Sequence, residues 1–117
     1  MVGRSRTIAL KQVGDPYRYG AAGPAAFDCS GLVFFATHAA GFKRVPRSSG
    51  AQAGFMRPIA KSRMRAGDFM YFYGSGGVYH VGIFLGWSHG AARMLHAPGT
   101  GKRVTIARPW TTRWFGR

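Results

Sequence analysis

From Asp68 onward the chain alternates short aromatic and β-branched runs with glycine-rich breaks. The runs fall at 68–73, 80–86, 92–97, 103–107 and 113–115. The breaks at Gly74-Ser75-Gly76-Gly77, Ser88-His89-Gly90 and Pro98-Gly99-Thr100-Gly101 predict about five strands joined mostly as antiparallel hairpins. The first half has a different period. Over 29–40, at ~100° per residue, Cys29, Leu32, Val33, Ala36 and Ala40 share one face, flanked by Phe34 and Phe35. A helix this apolar belongs inside the fold. Asp28 supplies a capping carboxylate and Gly41 a C-terminal stop. Shorter helices are expected at 5–13, halted by Gly14-Asp15-Pro16, and at 48–56, begun by Ser48 or Ser49 after Pro46. Between them Tyr17 to Pro24 reads as an irregular loop. Helices followed by a meandering sheet give an α+β class, with the Cys29 helix packed on one sheet face.

Length and charge narrow the picture. The 117 residues suffice for one core, so 1–117 is read as a single domain, expected to be monomeric. No apolar run approaches the ~18 residues that span a bilayer. Met1 to Leu10 lacks the apolar centre and small-residue cleavage site of a secretory signal. Lys and Arg number 17 against 3 acidic residues, a formal net charge of +14. Such a field attracts polyanions and opposes self-association. Nucleic acid, anionic lipid and anionic wall polymers all fit, and an arginine-rich composition also arises from a GC-rich genome. The basic residues are dispersed from Arg4 to Arg117, and the densest group, Lys61 to Arg65, reads as an exposed connector. No helix-turn-helix, zinc-finger or RNA-recognition pattern accompanies them, so no specific nucleic-acid partner is expected.

Candidate chemistry centres on Cys29, the one cysteine of the chain. It cannot form an internal disulfide, which leaves inert packing, a metal ligand or a nucleophile. A zinc site from Cys29, His80 and His96 is weakened by the lack of close ligand pairs such as CxxC or HxxxH. A nucleophile fits better. Cys29 starts a helix, where orphan N–H groups and the macrodipole favour an anion, so its pKa is expected below the ordinary thiol value of ~8.5. His80 opens a strand and would serve as the base, with Gly82 on its face letting the helix approach. His96 would orient the ring of His80, and the Cys29 backbone N–H would receive an oxyanion. His38 falls about 180° from Cys29, and His89 sits in a solvated turn, so neither joins the site. Tyr17 is either a packing aromatic or part of the site.

Six segments in series carry a resemblance. They are Gly14-Asp-Pro-Tyr17-Arg-Tyr-Gly20, Phe27-Asp-Cys-Ser-Gly-Leu-Val33, Val45-Pro-Arg-Ser-Ser49, Gly67-Asp-Phe-Met-Tyr-Phe72, His80-Val-Gly-Ile-Phe-Leu-Gly86 and His96-Ala-Pro98. In order and spacing, over about residues 5–116, the chain resembles the NlpC family of bacterial cell-wall cysteine peptidases. The resemblance implies a compact papain-like fold and hydrolysis of peptidoglycan stem peptides, usually between γ-linked D-glutamate and the following diamino acid. It implies Cys29 as nucleophile, His80 as general base and acid, and His96 as the orienting residue. Tyr17 would line the site, and Asp28 and Ser30 would contact the substrate amine. No cofactor or metal is implied, and action outside the cell, at the wall or in the periplasm, is. Partners would be stem peptides and anionic wall polymers. Other readings are an amidase or acyltransferase on the same fold, and a non-catalytic basic module binding wall or nucleic acid.

Overall fold

The computed structural model describes residues 2–117. Three helices, α1 (Val2–Leu10), α2 (Cys29–Ala39) and α3 (Ser49–Phe55), precede a single 3₁₀ turn at Lys61–Arg63. Five strands follow: β1 (Phe69–Gly74), β2 (Gly77–Ser88), β3 (Ala91–His96), β4 (Thr105–Ala107) and β5 (Trp114–Gly116). They form one sheet in the order β4-β3-β2-β1-β5, with every neighbouring pair antiparallel. The α+β layout and the five strands expected from the aromatic runs are present.

The central strands are buried on both faces, so their sequences read as continuous apolar runs rather than clean alternations. On one face Phe69, Tyr71, Val81, Ile83 and Leu95 cluster with Leu32, Val33 and Ala36 of α2. On the other, Met70, Phe72, Phe84 and Met94 cluster with Trp114 and Met64. Gln52 ties the layers together: its amide donates to the carbonyls of Ser30 (3.1 Å) and Pro46 (2.9 Å), and its oxygen accepts from Tyr71 Oη (3.1 Å).

Several boundaries differ from expectation for identifiable reasons. Helix α1 ends at Leu10 rather than at residue 13, because the next amides turn back into i→i−3 bonds, Gln12 N to Ala9 O and Val13 N to Leu10 O. Strand β2 starts at Gly77, three residues early. The Ser75-Gly76 turn is tight enough to pair Gly74 with Gly77, whose φ of +100° suits glycine. Phe72 pairs with His80 but Tyr73 pairs with Val78, so Tyr79 is the extra residue of a β-bulge. Gly82 does not admit the helix: a Cβ there would run into the Met94 side chain, on the face away from α2. Its role is to make room within the sheet's second core.

Gly31 is the glycine that the helix start requires. An added Cβ would collide with the carbonyl oxygen of Ala21 and crowd Asp28 Oδ1. The Ala21 carbonyl is itself held by the N–H of Asp28 at 2.9 Å. Neither can retreat without dislodging the residue that precedes Cys29. Gly31→Ala is therefore expected to cost about 1–3 kcal/mol, the usual penalty of overpacking. Denaturant titration should show a lowered midpoint, and an unchanged midpoint would mean that the loop at Ala21 yields freely.

Candidate active site

A cleft of about 510 Å³ opens at the N-terminus of α2, lined by Tyr17, Tyr19, Cys29, Arg47 and Tyr79 among others. Asp28 builds its floor. One carboxylate oxygen accepts from Gly31 N (2.7 Å) and Ser30 Oγ (3.4 Å), the other from Gly20 N (2.9 Å) and the Arg47 guanidinium (2.9 Å). The first of these is the N-cap bond of α2. Arg47 also donates to Ser30 Oγ (2.9 Å) and Ala21 O (3.3 Å), so a single cation closes the ring. Asp28 is thus a structural hub with four donors before any substrate arrives.

Cys29 is the first residue of α2 and remains partly exposed. The backbone N–H of Val81, and then those of Ser30 and Cys29 itself, act on the thiol to lower its pKa. These donors favour the thiolate. Burial opposes them and is the larger effect; the Asp28 charge adds to it, so the thiol pKa lies above its ordinary value. The expected depression at the helix start is therefore not found. A thiol so placed stays protonated until a base takes the proton.

His80 is the residue before Val81 in β2. His80 and His96 are nearly inaccessible and bonded to each other, Nε2 of His80 to Nδ1 of His96, at 2.9 Å. Burial, then the second ring, lowers His80 to about 4. Burial, then the charge of Lys102, lowers His96 to about 4. The pair is uncharged near neutrality, and one ring donates to the other. His80 Nδ1 has no hydrogen-bond partner among the described residues, so the bond to His96 leaves that nitrogen open.

Tyr17 lies on the cleft wall; burial first, then the Cys29 and Asp28 charges, raise its pKa. Ser30 and Asp28 lie beside it, although both are already engaged as described. His38 is remote: its Nε2 bonds Val45 O at 2.9 Å and its ring stacks on Phe34. His89 is exposed in the β2–β3 turn with φ of 52°. Sequence reasoning gave no role to Arg47, Gln52, Tyr79 or Trp110. Arg47 alone carried a signal, as the cation inside the Val45-to-Ser49 segment.

With the geometry in place, comparison with known proteins identifies the class. Residues 14–117 match the model of the NlpC/P60 family, and the chain belongs to that family. It is 47% identical over 89 residues to a probable endopeptidase of Corynebacterium glutamicum, covering 76% of this chain and 39% of that protein. It is 36% identical over 97 residues to the gamma-D-glutamyl-L-lysine dipeptidyl-peptidase of Bacillus subtilis, covering 80% of this chain and 31% of that one. Among solved structures, the NlpC/p60 domain of the peptidoglycan hydrolase SagA superposes with a TM-score of 0.85 at 28% identity, over 99% of this chain and 97% of that domain. The chain spans well under half the length of these two curated relatives.

The buried histidines make stability depend on pH. Their folded values near 4 lie below the ~6.5 of an unfolded histidine, so the unfolded chain binds more protons between those limits. This contribution is fully present above about pH 6.5 and is lost as pH falls toward 4. The melting temperature should drop between pH 7 and pH 4.5, and drop less in the His80→Gln/His96→Gln double variant. Identical pH dependence in the two proteins would show that the pair takes up protons freely within the fold.

Proposed function

We propose that this domain is a cysteine endopeptidase acting on stem peptides of bacterial peptidoglycan, at the bond between γ-linked D-glutamate and the diamino acid. The carrying observation is the thiol at the start of α2, acted on by the Val81 amide, next in sequence to an imidazole, His80, whose Nε2 is fixed by a second imidazole, His96. The gamma-D-glutamyl-L-lysine specificity in the name of the Bacillus relative supports the choice of bond. Cys29 is the nucleophile, His80 the general base and acid, and His96 the positioning residue. Family membership supports action at the cell wall or outside the cell. No helix of the described residues is long and apolar enough to cross a membrane.

The steps follow from the protonation states. In the tautomer with Nε2–H donating to His96, His80 Nδ1 takes the Cys29 proton as the sulfur attacks the scissile carbonyl carbon. The C=O π pair moves to oxygen, where the Cys29 backbone N–H receives the oxyanion. Collapse expels the amine, which leaves with the proton from His80, and an acyl-thioester remains on Cys29. Water then attacks this carbonyl with His80 as base, and the thiol departs as the carboxylate product forms. A raised thiol pKa suits proton transfer at the moment of attack rather than a standing ion pair. Tyr17, Asp28 and Ser30 are assigned to the substrate side, with the stem-peptide amine directed to the ring that Asp28, Ser30 and Arg47 form.

Variants of the three residues test the assignment on a defined muropeptide, with products identified by mass spectrometry. Cys29→Ala should abolish hydrolysis, and His80→Ala should reduce kcat by about 10²–10⁴. His96→Gln should retain part of the activity, because an amide can still hold the ring of His80. EDTA should leave the rate unchanged. Inhibition by EDTA that added zinc reverses would replace this reading with a metal site, and equal complete loss in both histidine variants would refute the separate roles.

The charge of +14 is assigned to encounter with anionic wall polymers rather than to bond cleavage. Its arginines are spread over the whole chain and act as a long-range field, screened beyond about 10 Å at 0.1 M salt. Digestion of whole sacculi should slow as salt rises to several hundred millimolar, while kcat on a short soluble stem peptide stays nearly constant. Equal salt response for both substrates would place the charge within the active site.

A further inference from the structure

The connection between β4 and β5 has an unusual task. These strands occupy opposite edges of the sheet, four interstrand spacings apart, or ~19 Å at ~4.8 Å each. Ala107 and Trp114 are joined by only seven Cα steps, which reach at most ~25 Å when fully extended. Residues 108–113 therefore cross the sheet as a strap with little slack. They cross on the face away from α2, because Trp110 stacks on Phe72 of that face, with centroids 4.5 Å apart and planes at 15°. The strap is fastened near its end by Tyr73 N to Arg113 O (3.1 Å) and Lys61 Nζ to Thr112 O (2.9 Å).

Trp110 is 55% exposed, yet its inner side meets both histidines, 5.3 Å from the His80 ring and 6.2 Å from the His96 ring between centroids. Its Nε1–H donates to Tyr79 Oη at 3.3 Å, and Tyr79 is both the bulge residue before His80 and part of the Cys29 cleft wall. We infer that Trp110 is a positioning residue of the active site: the taut strap holds its indole as a cover on the His80–His96 pair, keeping water from the rings and fixing their mutual orientation. This rests on the peptidase reading for its catalytic consequence, but not for its physical one. Removing the cover hydrates the rings and eases their protonation. The charged groups that act on the pair are His96 on His80 and Lys102 on His96, neither of which the substitution alters. The Phe72 ring, also against His80, is apolar.

The test uses imidazole NMR titrations of wild type, Trp110→Ala and Trp110→Phe, read beside the pH profile of kcat/KM on a soluble stem peptide. In Trp110→Ala the titration of the pair should move up by about one pH unit or more. The acid limb of kcat/KM should move with it, with kcat down between about 10- and 100-fold and KM little changed. Trp110→Phe, which keeps an apolar ring, should restore most of both. A Trp110→Ala titration that matches wild type overturns the inference, as does lost activity with the acid limb in place. If wild type cleaves no stem peptide, the peptidase reading fails, while the titration alone still decides whether Trp110 covers the pair.

Discussion

The hydrogen-bonded ring around the Asp28 carboxylate is the constraint from which the site follows. Asp28 caps α2 through Gly31, gathers the Tyr17–Pro24 loop through Gly20, and fixes Arg47, which returns to Ser30 and Ala21. A buried carboxylate is tolerable only when its oxygens are satisfied, so these partners are not interchangeable. Gly31 lets the loop lie directly on the helix, and Gln52 locks the carbonyl of Ser30 to α3 and β1. The Asp-Cys-Ser-Gly order is then a mechanical statement: cap, nucleophile, ring member, and the gap that admits the loop. Cys29 is left as the helix-start side chain that can look outward into the cleft.

The electrostatics of the centre are those of neutral groups held ready. Burial outweighs the favourable donors at the sulfur and keeps both rings uncharged well below neutrality. In the proposed reaction each proton transfer would pass through rings from which burial has excluded most water, where fixed N–H dipoles act more strongly than they would in solvent. The sheet supplies this exclusion from both sides, α2 on one face and the strap carrying Trp110 on the other. The bulge at Tyr79 joins the two sides, since it sets where His80 starts and meets the indole from the cleft.

Much of this was legible along the chain. The capping Asp28, the extent of α2, the Ser48 cap of α3 and the five strands all rest on local signals that tertiary packing reinforced. The pairing of His80 with His96 was readable because each begins or ends an apolar strand run. What escaped notice was non-local. Gly82 looked like a door for the helix, but which face a strand glycine opens depends on a neighbouring strand, here through Met94. The start of β2 depended on a two-residue turn and a bulge within a glycine-rich stretch that fits several registers. The direction of the Cys29 shift was misread because helix-start position is visible in sequence and depth of burial is not. Trp110 gave no signal, since its importance comes from the edge-to-edge route of the strap.

The most direct measurement of the central claim is covalent labelling by a stem-peptide analogue that carries a thiol-directed acyloxymethyl ketone in place of the scissile amide. Peptide mapping should find a single adduct on Cys29, formed more slowly in His80→Ala and suppressed by excess unmodified stem peptide. An adduct elsewhere, or an unlabelled Cys29 in protein that still hydrolyses the stem peptide, would contradict the account.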